Sequence, residues 1–195
     1  MIAHIGGVPL EEALLPVMLG GSAGLLAVRG WIMAHSPHRP KREMTAKTTL
    51  RMKRTYEAPA RRVFDAWTSE EVLRRWFHAE HDWETTEARV DLRVGGAVRV
   101  VMRDPHEDAE YGGGGEYTEI DPPRRLAFTW TWDREPTRQT LIEIEFEESD
   151  GRTTVSFTHN GLWSEEEVRS HEGGWSRCFD NLERALRRPP ALSGS

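Results

Sequence analysis

From Thr48 onward, apolar and polar positions recur in patterns that dictate elements. Thr48 to Tyr56 sets Leu50 and Met52 against Arg51 and Lys53, the period-two signature of a strand with one buried face. Pro59 then opens a helix in which Val63, Phe64 and Trp67 fall at helical spacing. Ser69 caps a second short helix that runs from Glu70 to Arg75 and ends on the apolar pair Trp76-Phe77. Strand period returns in Ala88 to Val94, where Val90, Leu92 and Val94 alternate with charged residues, and in Ala97 to Arg103, where Val98, Val100 and Met102 do the same. Gly95-Gly96 between them reads as a hairpin turn. Tyr117 to Asp121, Arg125 to Trp132, Arg138 to Glu147 and Arg152 to Asn160 complete the strands, with Pro122-Pro123 and Ser149-Asp150-Gly151 as turns. Ser164 to Arg188 is helical: Val168, His171, Trp175, Cys178, Phe179, Leu182 and Leu186 recur by threes and fours, and Ser164 with Glu167 forms a capping box. This order predicts an α+β domain whose mostly antiparallel sheet buries one face under the long C-terminal helix.

Four consecutive glycines, Gly112 to Gly115, interrupt the pattern. Glycine-rich loops cradle phosphates when a helix and a Lys-Ser/Thr pair follow them. Here Glu116 and Tyr117 follow and start a strand, and Glu107, Asp108, Glu110 and Glu116 would repel an anion. The run is therefore expected to be the flexible end of a hairpin, at the entrance to whatever the sheet encloses.

Residues 1–44 follow another rule. Ala13 to Val28 carries no charge, Trp31 to Ala34 adds a second apolar patch, and a Pro- and Arg-rich stretch follows. Glu11 and Glu12 precede the apolar run where a secretory signal wants positive charge. Pro16 and Gly20-Gly21 break it. The expected organisation is a disordered or loosely docked extension over residues 1–44, with a membrane anchor through residues 13–34 as the alternative. A folded domain over residues 45–188 and a disordered tail over residues 189–195 complete it.

Composition narrows the function. A length of 195 residues suits one domain with a real core. A net charge of −6 argues against a non-specific nucleic-acid binder, which needs a basic face. The single cysteine, Cys178, allows no intramolecular disulfide or multi-cysteine metal cluster and fits a reducing, cytoplasmic setting. Eight tryptophans are the more informative feature, because large aromatic rings either fill cores or line apolar pockets.

Five stretches, Tyr56 to Phe77, Asp91 to Met102, Glu119 to Trp130, Thr154 to Leu162 and Gly174 to Leu186, come in an order and spacing that resemble the START-like helix-grip superfamily. Within it they resemble the group named after the C-terminal domain of the Hsp90 ATPase activator. The resemblance covers about Lys47 to Arg187. It implies a curved antiparallel sheet wrapped round the C-terminal helix with an apolar cavity between them. It also places the loop His78 to Asp82, after the second helix, at the cavity rim. That loop holds two histidines and two acids, but no regular element fixes them as metal ligands.

Strand period selects the faces that would line such a cavity. Thr153, Val155, Phe157 and His159 share one face of their strand, Thr140, Ile142, Ile144 and Phe146 of theirs, and Leu126, Phe128, Trp130 and Trp132 of a third. The candidate ligand contacts are Trp67, Trp76 and Phe77 from the helical pair, and Phe128, Trp130, Trp132, Ile144, Phe146, Phe157 and His159 from the strands. The closing helix adds His171, Trp175 and Phe179. No nucleophile elbow or acid pair on an apolar face is present, and neither a metal nor another cofactor is implied. The leading expectation is a protein that holds a hydrophobic, aromatic small molecule. The alternatives are a chaperone-ATPase-stimulating module, which rests on resemblance, and a cyclase- or hydrolase-like enzyme with His159 or His171 as general base.

Overall fold

The computed structural model describes Thr48–Arg187. The elements in chain order are β1 (Thr48–Tyr56), α1 (Ala60–Thr68), α2 (Glu70–Trp76), β2 (Glu84–Val90), β3 (Ala97–Asp104), β4 (Ala109–Asp121), β5 (Arg125–Trp132), β6 (Thr140–Ser149), β7 (Arg152–Leu162) and α3 (Glu165–Arg187). The seven strands form one curved antiparallel sheet in the order β1-β7-β6-β5-β4-β3-β2. Only β7 is placed out of sequence, returning beside β1. The α+β helix-grip expectation therefore holds, including the long closing helix.

Register explains how the inner face is made. Leu50 pairs with His159, His159 with Ile142, Ile142 with Phe128, and Phe128 with Tyr117, so one apolar row crosses five strands. A second row runs Met52, Phe157, Ile144, Leu126 and Ile120. Glu143, Glu145 and Glu147 occupy the opposite face of β6, as strand alternation demands.

The helices cover this face. α1 follows its N-cap Pro59 and turns Val63, Phe64 and Trp67 inward. Ser69 caps α2 by accepting from the Val72 N–H. At the start of α3 the Ser164 hydroxyl accepts from the Glu167 N–H at 3.1 Å, and the Glu167 carboxylate accepts from the Trp163 N–H at 2.8 Å. This is a capping box displaced by one residue on its return arm. Trp175, Cys178, Phe179, Leu182 and Leu186 form the buried stripe of α3.

Three expectations are corrected. The glycine run is no hairpin tip: Gly112 to Gly115 lie inside β4, paired with Val101, Val100, Arg99 and Val98 of β3. The turn falls earlier, after Asp104. β2 lies four residues earlier than its alternation suggested, so Leu92 and Val94 stand exposed in the connection to β3. Gly95-Gly96 close that longer connection, not a two-residue turn: Gly95 donates to the Tyr117 carbonyl and Gly96 to that of Arg93. The sheet pairing of Val90 with Val98 ended β2 where local pattern would have continued it. The readings made for residues 1–44 and 189–195 lie outside the described residues.

Candidate functional site

Between the inner face of the sheet and α3 lies a cavity of about 300 Å³. β5 contributes Trp130 and Trp132, β7 contributes His159, and α3 contributes Ser170, His171, Gly174, Trp175 and Cys178. Phe77, Ala79 and Trp83, from the segment after α2, close one side, while Met102 of β3 and Tyr111 of β4 close another. The lining is overwhelmingly apolar, and its volume sits at the small end of known ligand sites.

The glycines of β4 permit this wall. A Cβ on Gly113 would stand 2.6 Å from the Trp130 ring and 3.0 Å from that of Trp132. Without it both indoles lie against bare backbone, with their centroids 5.3 Å apart. Tyr111, just before the run, stacks on Trp83 at 4.8 Å and 18°, and the Arg134 guanidinium covers the same ring at 4.2 Å. Beyond this stack a second, more polar space of about 420 Å³ opens, bounded by Arg134, Glu135, Arg138, Glu166 and Glu167. Tyr111, Trp132, Ser170 and His171 border both spaces, which makes them the junction.

The two histidines have distinct bonding. Thr140 donates its hydroxyl proton to the Trp130 carbonyl at 3.0 Å, so it can only accept from His159 Nε2–H, 2.8 Å away. His159 Nδ1 is then the lone pair, and it accepts from Trp175 Nε1–H at 3.3 Å. Both nitrogens are thus occupied. Burial, with a smaller contribution from His171, pushes the His159 imidazole down to about 3, so it stays neutral. His171 differs: its Nδ1–H donates to the Glu167 carbonyl at 2.9 Å, and its ring meets that of His159 edge-on at 5.1 Å.

Six of the thirteen anticipated contacts line the cavity: Phe77, Trp130, Trp132, His159, His171 and Trp175. The other seven do not. Trp67, Trp76, Phe157 and Phe179 pack with one another and with the back of Trp175, with Trp67 and Trp76 centroids 4.7 Å apart and Phe157 and Trp175 centroids 4.5 Å apart. Phe128, Ile144 and Phe146 fill the core under α1 and the sheet rows. Strand period finds the inner face but not which part of it a helix fills.

Sequence reasoning missed Ala79, Trp83, Met102, Tyr111, Ser170, Gly174 and Cys178 as lining residues. Tyr111 had a readable signal, since an aromatic at the head of a glycine run on a strand marks close backbone approach. Trp83 had none. The loop at the rim behaves as the resemblance implied only in part. Ala79 lines the cavity, whereas the His78 carbonyl is clasped by Cys178 Sγ–H and Asn181 Nδ2–H. His81 pairs with Arg184 and Asp82 with His106. Among the described residues no three His, Cys, Asp or Glu side chains converge as a metal set. Burial pushes the Cys178 thiol up to about 12, which keeps it protonated and unreactive.

A curved antiparallel sheet gripping one long helix, with an aromatic cavity between them, defines the helix-grip class of START-like domains. The sequence agrees at the family level: residues 57–187 match the model of the family described as "Activator of Hsp90 ATPase homolog 1-like protein", and the chain belongs to that family. Similar solved structures include a protein from Chromobacterium violaceum, with TM-score 0.66 and 21% identity over 72% of this chain and 99% of that one. A Nitrosomonas europaea protein gives 0.62 and 26%, over 71% and 94%. An AHSA1-like protein from Aeromonas hydrophila gives 0.62 and 26%, over 72% and 92%. No curated protein matches the chain. Among the described residues no helix is long and apolar enough to cross a membrane.

Proposed function

We propose that this domain binds a hydrophobic small molecule with an aromatic or polycyclic body in the space between the sheet and α3. The observation that carries the reading is the wall itself: Phe77, Trp83, Trp130, Trp132 and Trp175 surround about 300 Å³ that none of their rings fills. An apolar pocket with a few convergent polar groups is the usual form of a ligand site. The volume suits a compact ring system better than a long acyl chain.

The family description also names activation of a chaperone ATPase. A large contiguous exposed apolar patch would mark a surface for docking to a large partner. Among the described residues the large apolar side chains that stand exposed are Leu92 and Val94, which favours the small-molecule reading.

Isothermal titration against a panel of aromatic and polyketide-like compounds tests it. At least one should bind with micromolar Kd, and a hundredfold excess over Kd should stabilise the fold by about 2.7 kcal/mol. Ser170→Phe, at an exposed helical position on the junction, should abolish binding while leaving the melting temperature of the free protein nearly unchanged. A panel that gives neither heat nor thermal stabilisation would overturn the reading.

A further inference from the structure

We infer that the cavity selects aromatic molecules that carry a hydrogen-bond donor, a phenolic or alcoholic hydroxyl, and that the Nε2 lone pair of His171 receives it. This rests on the ligand-binding reading above and names the chemistry of that ligand.

The argument is one of elimination among polar atoms. A carbonyl oxygen cannot donate, so the 2.9 Å contact from His171 Nδ1 to the Glu167 carbonyl requires the proton on Nδ1. Neutral His171 therefore carries its lone pair on Nε2, an acceptor that no group among the described residues claims. Among the other polar side chains of the wall, the indole N–H groups of Trp83, Trp130 and Trp132 can only donate, the Ser170 hydroxyl stands exposed toward water on α3, and the remainder are engaged. His159 uses both nitrogens within the relay of Thr140 and Trp175. The Cys178 thiol donates to the His78 carbonyl. The Tyr111 hydroxyl points to Glu107.

Position agrees with chemistry. His171 borders both the aromatic cavity and the polar space outside it, so a ring system seated among the tryptophans would bring a substituent past His171 on its way to water. The edge-on contact with His159 and the bond to Glu167 hold the imidazole plane, which gives the acceptor a fixed direction. A bound molecule without a donor would desolvate Nε2 and return nothing, and that difference is the source of selectivity.

The test compares naphthol with fluoronaphthalene, which matches it in size but cannot donate. In wild-type protein naphthol should bind about three- to tenfold more tightly, the range expected of one net hydrogen bond. His171→Phe should bring the two Kd values within about twofold of each other while fluoronaphthalene binding persists, and His171→Gln, which retains an acceptor oxygen, should restore part of the preference. Equal affinity of wild type for the two probes would overturn the inference and leave the pocket reading standing. A preference that survives in His171→Phe would overturn the assignment to His171. If neither probe binds, this inference is overturned, and the pocket reading falls with it only if the wider panel also gives neither heat nor thermal stabilisation.

Discussion

His159 and His171 are both imidazoles on the inner face, and their surroundings give them different roles. His159 is 1% exposed and completes a relay that ties β5, β6, β7 and α3 together through Trp130, Thr140 and Trp175. Its burial holds it near 3 against an ordinary value of 6.5. Between those two values the unfolded chain binds a proton that the folded chain refuses. The stabilising contribution is therefore complete above pH 6.5 and is lost progressively as pH falls toward 3, at up to about 1.4 kcal/mol per pH unit. Urea unfolding between pH 7 and pH 4 should show a steeper loss in wild type than in His159→Gln, which cannot titrate. Parallel losses in the two proteins would remove His159 as the cause. The same bonding makes His159 a poor general base, since both of its nitrogens are taken by protein partners.

At the scale of elements, β4 carries the clearest lesson. A run of four glycines is poor strand material on propensity alone, yet a Cβ at any of them would stand under 3.0 Å from another atom, a side-chain atom at Gly112 and Gly113 and a backbone atom at Gly114 and Gly115. A Cβ on Gly115 would stand 2.0 Å from the Thr129 carbonyl oxygen, and one on Gly114 would stand 2.4 Å from that of Val98. These are backbone atoms of paired strands and cannot rotate away. Gly115→Ala should therefore cost about 1–3 kcal/mol in chemical denaturation. At Gly113 the obstacle is the Trp130 side chain, which can move, and its escape is into the cavity. Gly113→Ala should cost less stability than Gly115→Ala but weaken the binding of an aromatic probe by titration. Equal effects of the two substitutions on binding would contradict this division. Local pattern located β1, β5, β6 and β7 well, because alternation there coincides with pairing across the buried face. It misplaced β2 and the β3–β4 turn because Leu92 and Val94 alternate without a partner strand, while the glycines pair without alternation.

For the whole molecule, the aromatic residues divide into those that hold the helices to the sheet and those that bound empty space. Trp67, 2% exposed, meets Trp76, Phe157, Trp175 and Phe179 and anchors α1 to the closing helix. Trp67→Ala should cost about 3–5 kcal/mol, the range for removing a large buried aromatic. Trp132 is partly buried at the junction of the two spaces, so Trp132→Ala should cost less stability and lose more affinity for an aromatic probe. Unfolding and binding measured on both variants would expose any error, most plainly if the two ranked alike on each scale. The sequence by itself determined the α+β order, the inward faces of β5, β6 and β7 and the stripe of α3, because these follow from periods of two and about 3.6 that act over a few residues. Only the tertiary structure decided which aromatics line the cavity, why four glycines sit in a strand, and which histidine nitrogens the protein itself engages. Those depend on distances between segments remote in the chain, set when β7 returns beside β1 and α3 closes over the sheet.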